Sequence, residues 1–165
     1  MCDSIQSGIQ HGIQIRWMIR RDMPQVLRIE RESFAVPWTD ADFLRELRDR
    51  NVIGLVAATA ADRVLGFMVY RAAKTHYVVR NLAIAREFRR QGIGSAMIGR
   101  LTSKLSPDRR RQVITMVEEA NLDAQLFFRA CGGRCEEIAA QPWDGSDLDG
   151  YVFRFRVREP EGAAT

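Results

Sequence analysis

The segment Arg89–Ser95 constrains this chain more than any other, because it sets glycines and arginines between two apolar runs. The run Val78–Ala85 before it favours a strand. The residues after it keep helical spacing, namely Ile93, Ala96, Met97, Leu101 and Leu105. Gly92 and Gly94 leave the first amides of that helix without a covering Cβ, and the helix dipole and arginines add positive charge. The segment predicts a phosphate site, although an ordinary glycine-containing helix start fits it about equally well.

Two common nucleotide-binding motifs do not fit this segment. The dinucleotide fingerprint needs a third glycine, and Met97 occupies that position. The P-loop ends in Lys-Ser/Thr, a pair that the segment lacks. What remains is Arg89-x-x-Gly92-x-Gly94, which resembles the acyl-CoA signature of the GNAT acetyltransferase superfamily.

The resemblance covers residues 14 to 156. Asn81–Ile84 is similar to the superfamily's splayed central strand, and Asn121, Phe128 and Gly132 keep its N-x6-Y/F-x3-G spacing. The segment 29–39, with its Phe-x-x-Pro-Trp-Thr pattern, resembles the bacterial ribosomal-protein-alanine N-acetyltransferases. This resemblance implies an α/β fold with a mixed, mostly antiparallel splayed sheet and helices on both faces. It also implies acetyl-CoA as cosubstrate, no metal, and the α-amine of a protein or peptide N-terminus as acceptor, such as that of a ribosomal protein.

The resemblance assigns site residues to particular positions of this chain. Backbone amides at Leu82–Ile84 would hold the pantetheine arm and polarise the thioester carbonyl. The full set expected to contact the cofactor is Leu82, Ala83, Ile84, Arg89, Arg90, Gln91, Gly92, Ile93, Gly94, Ser95, Asn121 and Phe128. Asn121 fits a helix cap equally well. Trp38 and Trp143 are the expected substrate-binding residues, with core anchoring as the alternative for each.

Two positions depart from the pattern of the alanine acetyltransferases. Met116 stands where they have a glutamate base, and Phe128 where they have a tyrosine acid. A thioether is a poor proton acceptor, and a phenyl ring has no proton to donate. Glu118 lies two residues further along the same predicted strand, on the same face, and is the candidate base through a water molecule. A solvated strand end explains Glu118 as well, while His76 and Tyr77 are further candidates.

The magnitudes of the pKa values and of base catalysis predict that weak catalysis survives the loss of these groups. A protein α-amine has a pKa of about 8, so roughly a tenth of it is neutral at pH 7, whereas a lysine with a pKa of about 10.4 is almost entirely charged. A general base contributes about 10²–10⁴-fold. An N-terminal amine therefore tolerates a missing base better than lysine does.

Composition and charge limit the possible domain organisation, cellular location and class of ligand. With 165 residues, 46% of them apolar, we expect one domain over residues 13–157 between flexible tails at 1–12 and 158–165. No apolar run reaches the roughly 18 residues of a membrane span, and the polar N-terminus lacks a signal-peptide core, which favours a cytoplasmic protein without a membrane partner. The net charge of +4 suits a phosphate-bearing ligand as well as nucleic acid, and the spread of acids counts against nucleic acid. A CoA-binding module that has lost catalysis is the second alternative.

Periodicity and turn residues predict the element order β-α-α-β-β-β-α-β-α-β-β. Capping boxes are expected at Asp22 with Gln25 and at Thr39 with Asp42. The helix after the phosphate segment is expected over Gln91–Leu105.

Overall fold

A computed structural model describes residues 12–157 of the chain. These residues form seven strands and four helices, and the predicted element order is confirmed. The strands are β1 (Ile13–Trp17), β2 (Val52–Thr59), β3 (Val64–Ala72), β4 (His76–Ile84), β5 (Gln112–Glu118), β6 (Arg134–Ala139) and β7 (Gly150–Arg156). The helices are α1 (Met23–Ser33), α2 (Asp40–Leu47), α3 (Ile93–Thr102) and α4 (Leu122–Ala130).

The strands form one sheet in the order β1-β2-β3-β4-β5-β7-β6. The pairs β1–β2, β2–β3, β5–β7 and β6–β7 are antiparallel, so the predicted mixed, mostly antiparallel architecture is confirmed. No helix within residues 12–157 is long and apolar enough to cross a membrane.

The described chain divides into two compact units. The first contains the described residues up to Ala72 together with Val79–Arg100, and the second contains Ala73–Val78 and the described residues from Leu101 onward. A single domain over 13–157 stays a prediction. The two predicted tails lie outside the described residues, apart from Gly12.

The core of the first unit forms where α1 and α2 pack against β2 and β3. Phe43 of α2 is fully buried and lies between two aromatic rings, with ring centroids 5.2 Å from Trp38 and 5.6 Å from Phe67. Val26 and Ile29 of α1 are buried in the same cluster. This packing fixes α1 and α2 on the sheet and determines where the connector between them runs.

A cluster of phenylalanines lies in the core of the second unit, together with buried aliphatic residues such as Val113 and Val152. Phe128 of α4 is 6% exposed and packs against Phe127, Phe153 and Phe155. A Cβ on Gly133 would lie 2.7 Å from Cζ of Phe155, so only glycine allows β6 to begin this close to β7.

The capping box predicted at Asp22 and Gln25 is wrong. A short 3₁₀ turn at Arg20–Asp22 precedes α1, and the Asp22 carboxylate faces back towards β1. It accepts two hydrogen bonds from the Arg16 guanidinium, at 2.7 and 2.9 Å, and one from the backbone N–H of Ile19 at 2.8 Å. Gln25 instead accepts from the backbone N–H of Val64 at 2.9 Å. Asp22 and Gln25 therefore bond to Arg16, Ile19 and Val64 rather than to each other's backbone.

The capping box predicted for α2 is confirmed. The Thr39 hydroxyl accepts from the N–H of Asp42 at 3.2 Å, and the Asp42 carboxylate accepts from the N–H of Thr39 at 2.8 Å.

Helix α3 is shorter than predicted. Arg90 and Gly92 have φ of 61° and 83°, which excludes them from the helix, and after Thr102 the chain continues in tighter i→i+3 turns.

Candidate functional site

The end of β4 lies unusually close to β3 in the first unit. A Cβ on Gly66 would lie 2.4 Å from Cδ1 of Ile84 and 3.0 Å from the carbonyl oxygen of Ala83. The backbone N–H of Ala85 then donates to the carbonyl of Leu65 at 2.8 Å. Gly66 therefore leaves room for the segment Leu82–Ile84 to pack against β3, and the family resemblance implies that this segment binds the pantetheine arm.

The chain leaves β4 through a short 3₁₀ turn, Arg86–Phe88, and reaches α3 through left-handed residues. The carbonyl of Gly92 accepts the first hydrogen bond of α3, from Ala96 N–H at 3.0 Å. A Cβ on Gly92 would meet no atom within 4 Å. The amides that open a helix have no intrahelical partner, so this helix start is accessible to an anion.

The arginines of the motif differ in their surroundings. Arg89 donates from Nε to the carbonyl of Ile84 at 2.9 Å and from Nη2 to Oγ of Ser33 at 3.0 Å. It therefore links the loop to β4 and α1, a role that sequence reasoning missed. Arg90 is exposed beside Gly92. The side-chain amide of Gln91 donates from Nε2 to the backbone carbonyl of Glu87 at 3.3 Å.

Glu30, a buried carboxylate in α1, is a further residue that was not predicted from the sequence. Glu30 is 1% exposed, and its two oxygens accept from the backbone N–H of Trp38 at 2.7 Å and from Nδ2 of Asn81 at 3.0 Å. Burial raises the pKa of this carboxyl, while the two donors act in the opposite direction. The signal was available, because Glu30 follows the buried Val26 by four residues and so lies on the apolar face of α1.

Trp38 lies in the connector between α1 and α2. Its ring is half-buried and meets Phe43 edge-on, with the ring planes at 71°. This contact supports core anchoring, and substrate binding by Trp38 stays a prediction. Val36 of the same connector is 89% exposed.

In the second unit, Met116 and Glu118 lie on β5 opposite the start of β7. The Met116 side chain is 41% exposed and covers Gly150, where a Cβ would lie 2.7 Å from its sulfur and 2.9 Å from Cγ of Pro142. Glu118 is exposed and pairs with Gly150 in the strand register. Glycine at position 150 thus makes the room that Met116 occupies.

Asn121 caps α4, as one interpretation of the sequence predicted. Its Oδ1 accepts from the N–H of Ala124 at 3.1 Å, and its own N–H donates to the carbonyl of Glu118 at 3.0 Å. Phe128 is a core residue of the same unit, and contact of either residue with a cofactor stays a prediction.

The loop that carries Trp143 is braced at its end. Asp149 accepts from the N–H of Gln141 at 3.2 Å, and its own N–H donates to the Glu119 carboxylate at 3.2 Å. Trp143 is half-buried rather than exposed on this loop. The unit therefore brings the end of β5, the α4 cap and the Trp143 loop together.

The further base candidates have other contacts. His76 Nδ1 lies 3.1 Å from the Thr75 hydroxyl, and the Arg110 guanidinium lies 5.1 Å from the ring centroid of Tyr77. Across residues 12–157, no group of three or more His, Cys, Asp or Glu side chains is arranged to hold a metal ion.

Comparisons with known proteins add family information to this geometry. A family model described as "Acetyltransferase (GNAT) family" matches residues 23–132. The ribosomal protein bS18-alanine N-acetyltransferase of Salmonella typhimurium is 25% identical over 114 residues, which are 67% of this chain and 74% of that protein. The crystal structure of Ard1 from Thermoplasma volcanium has a TM-score of 0.77 at 24% identity, covering 90% of this chain and 99% of that one. Arabidopsis thaliana NAA60 in complex with acetyl-CoA has a TM-score of 0.75 at 17% identity, covering 88% and 98%.

Proposed function

Because the chain belongs to the acetyltransferase (GNAT) family, we propose that it transfers the acetyl group of acetyl-CoA to the α-amine of a protein or peptide N-terminus. The observation that carries the proposal is the open helix start at Gly92, next to the exposed Arg90. The similarity to a ribosomal-protein-alanine N-acetyltransferase supports an α-amine acceptor and a cytoplasmic location.

The donor side of the proposal rests on the segment from β4 to α3. The pyrophosphate of acetyl-CoA carries negative charge, and amides at Gly92–Ser95 with Arg90 offer a matching positive end. Leu82–Ile84 would donate backbone N–H groups to the pantetheine arm and to the thioester oxygen, which gains negative charge during attack. Arg89, although exposed, acts on the same segment, because its Nε donates to the carbonyl of Ile84.

The acceptor side must release a proton. A neutral amine attacks the thioester carbonyl, the C–S bond breaks, and the thiolate leaves with the bonding electrons. The ammonium formed then gives its proton to solvent or to a base. Met116 and Phe128 accept no proton, so Glu118 through water, or bulk solvent, is the proposed acceptor. Trp38 and Trp143 are the proposed substrate-binding residues.

Gly92→Val tests the donor site. A side chain at Gly92 would cover the helix start and must adopt a left-handed φ of 83°, so we expect at least a tenfold weaker acetyl-CoA affinity, equal to about 1.4 kcal/mol. Gly99→Val is the matched control, because a Cβ at Gly99 also meets no atom within 4 Å. Isothermal titration with acetyl-CoA measures both variants. Equal affinity of wild type and a folded Gly92→Val variant would remove the donor site from this segment.

Labelled acetyl-CoA and a library of N-terminal peptides test the transfer itself. Mass spectrometry should find the label on α-amines and not on lysine side chains. Binding of acetyl-CoA without any transfer would instead indicate a CoA-binding module that has lost catalysis.

A further inference from the structure

Glu30 places a carboxylate where helix α1 faces the core of the first unit. It is 1% exposed, and its Oε1 and Oε2 accept from Trp38 N and Asn81 Nδ2. Both donors are neutral groups. A buried carboxylate without a cationic partner costs solvation free energy that an apolar side chain at the same position would not. Core packing alone therefore gives no reason for a glutamate here.

The two donors belong to different elements, and this distinguishes Glu30 from an ordinary core residue. Trp38 ends the connector between α1 and α2, directly before the α2 cap Thr39. Asn81 lies in β4 directly before Leu82–Ile84, the segment proposed to bind the pantetheine arm. One side chain thus holds the connector and this segment together.

A second contact from the same face of α1 reaches the other end of the segment. Ser33 follows Glu30 by three residues, so the two side chains lie on one side of the helix. The Ser33 hydroxyl accepts from Nη2 of Arg89 at 3.0 Å, and Nε of Arg89 donates to the carbonyl of Ile84 at 2.9 Å. Helix α1 therefore fixes both Asn81 and Ile84.

We propose that Glu30 is a positioning residue for acetyl transfer, which holds the segment Asn81–Ile84 and the connector at Trp38 in register through its two hydrogen bonds. The inference rests on the proposed function, because that function makes Leu82–Ile84 the donor-binding segment. Glu30 touches neither substrate and acts through Asn81 and Trp38.

Three variants of α1 separate positioning from folding. Glu30→Met keeps the volume and removes both acceptors. Glu30→Gln keeps an acceptor for Trp38, and its amide can donate to Asn81 once the Asn81 amide is flipped. Glu32→Met is the matched control on an exposed position of the same helix.

Steady-state kinetics per folded molecule give the first readout. Glu30→Met leaves the Trp38 N–H and the Asn81 amide unpaired, and an unsatisfied buried donor corresponds to roughly tenfold, so we expect this variant to raise the KM for acetyl-CoA and lower kcat on that scale. Glu30→Gln and Glu32→Met should stay near wild type. A Glu30→Met enzyme with wild-type constants, or a Glu30→Gln enzyme as impaired as Glu30→Met, would overturn the proposal.

Amide hydrogen exchange on the ligand-free full chain gives a readout independent of activity. Glu30→Met should speed exchange at Trp38, whose N–H donates to Glu30, and at Ala85, whose N–H donates to the carbonyl of Leu65 at the end of the same segment, and Glu30→Gln should not. Unchanged exchange at Ala85 overturns the positioning role even in an active enzyme. If wild type binds no acetyl-CoA, the proposed function fails, while exchange still decides whether Glu30 joins the two segments.

Asn81→Leu provides the test if Glu30→Met does not fold. It removes only the bond to β4, so faster exchange should be confined to Ala85 at the end of that segment while Trp38 keeps its protection. Faster exchange at Trp38 alone would contradict the assignment.

Discussion

At the scale of single residues, Met116 is where this chain departs most from the enzymes it resembles. It is 41% exposed, so a carboxylate placed there keeps much of its hydration. We expect the wild-type rate on a peptide α-amine to climb with pH up to the pKa of that amine, because only the neutral amine attacks. Met116→Glu should raise the rate at neutral pH, by up to about 10²-fold, and flatten the climb. Initial rates across the pH range measure both effects.

Met116→Gln is the control for Met116→Glu, since a glutamine side chain is similar to glutamate in size and polarity but accepts no proton at neutral pH. A wild-type enzyme that is already fast at neutral pH, with an ionisation that Glu118→Gln abolishes, would make Glu118 the base and contradict the prediction.

At the scale of elements, periodicity was enough to predict the order of strands and helices, because each amphipathic run satisfies its own spacing. Contacts between distant segments were not predictable in the same way. Asp22 was assigned to a local cap, yet it pairs with Arg16 of β1. The close approach of Gly66 to Ile84 joins two strands, and a lone glycine in an apolar strand does not reveal its neighbour.

Glu30 and the site residues show the same difference between local patterns, which the sequence predicts, and contacts between distant segments, which it does not. The position of Glu30 on the apolar face of α1 was visible in the sequence. Its partners Trp38 and Asn81 were not predictable, because they lie 8 and 51 residues away. The motif Arg89-x-x-Gly92-x-Gly94 was recognisable because the conformational effect of its glycines is local to their own backbone, while phosphate binding there stays a prediction. Arg89 was expected to face the phosphate, and its bond to Ser33, 56 residues distant, had no sequence signal.

Gly66 supports a prediction about strands β3 and β4. Gly66→Ala should lower the free energy of unfolding by about 1–3 kcal/mol, because its Cβ would overlap Ile84 and press on the Ala83 carbonyl. Removing Cδ1 in the double variant Gly66→Ala/Ile84→Val should recover part of the loss. Gly99→Ala, exposed in α3, should be neutral or stabilising by up to about 1 kcal/mol. Chemical denaturation compares these proteins and the Ile84→Val single variant, and purely additive losses in the double variant would contradict a direct clash.

At the scale of the whole molecule, two buried carboxylates give the free energy of unfolding opposite dependences on pH. Burial alone would raise the pKa of Asp22, but hydrogen bonds from Arg16 and Ile19 hold it below the ordinary 3.8. Its stabilisation is therefore present above that ordinary value and is lost as pH falls through the folded pKa. Burial raises the pKa of Glu30 above the ordinary 4.5. Its contribution is complete below 4.5 and is lost as pH rises through the folded pKa.

Asp22→Asn and Glu30→Gln should separate these dependences. Asp22→Asn should be less stable than wild type at neutral pH, and the deficit should shrink as the pH falls below the folded pKa of Asp22. Glu30→Gln should gain on wild type as the pH rises above 4.5, because the amide replaces a carboxylate that must ionise while buried. Denaturant unfolding at a series of pH values measures both differences. A constant gap between Glu30→Gln and wild type across that range would mean that Glu30 ionises in the folded chain as easily as in the unfolded one, and its raised pKa would be refuted.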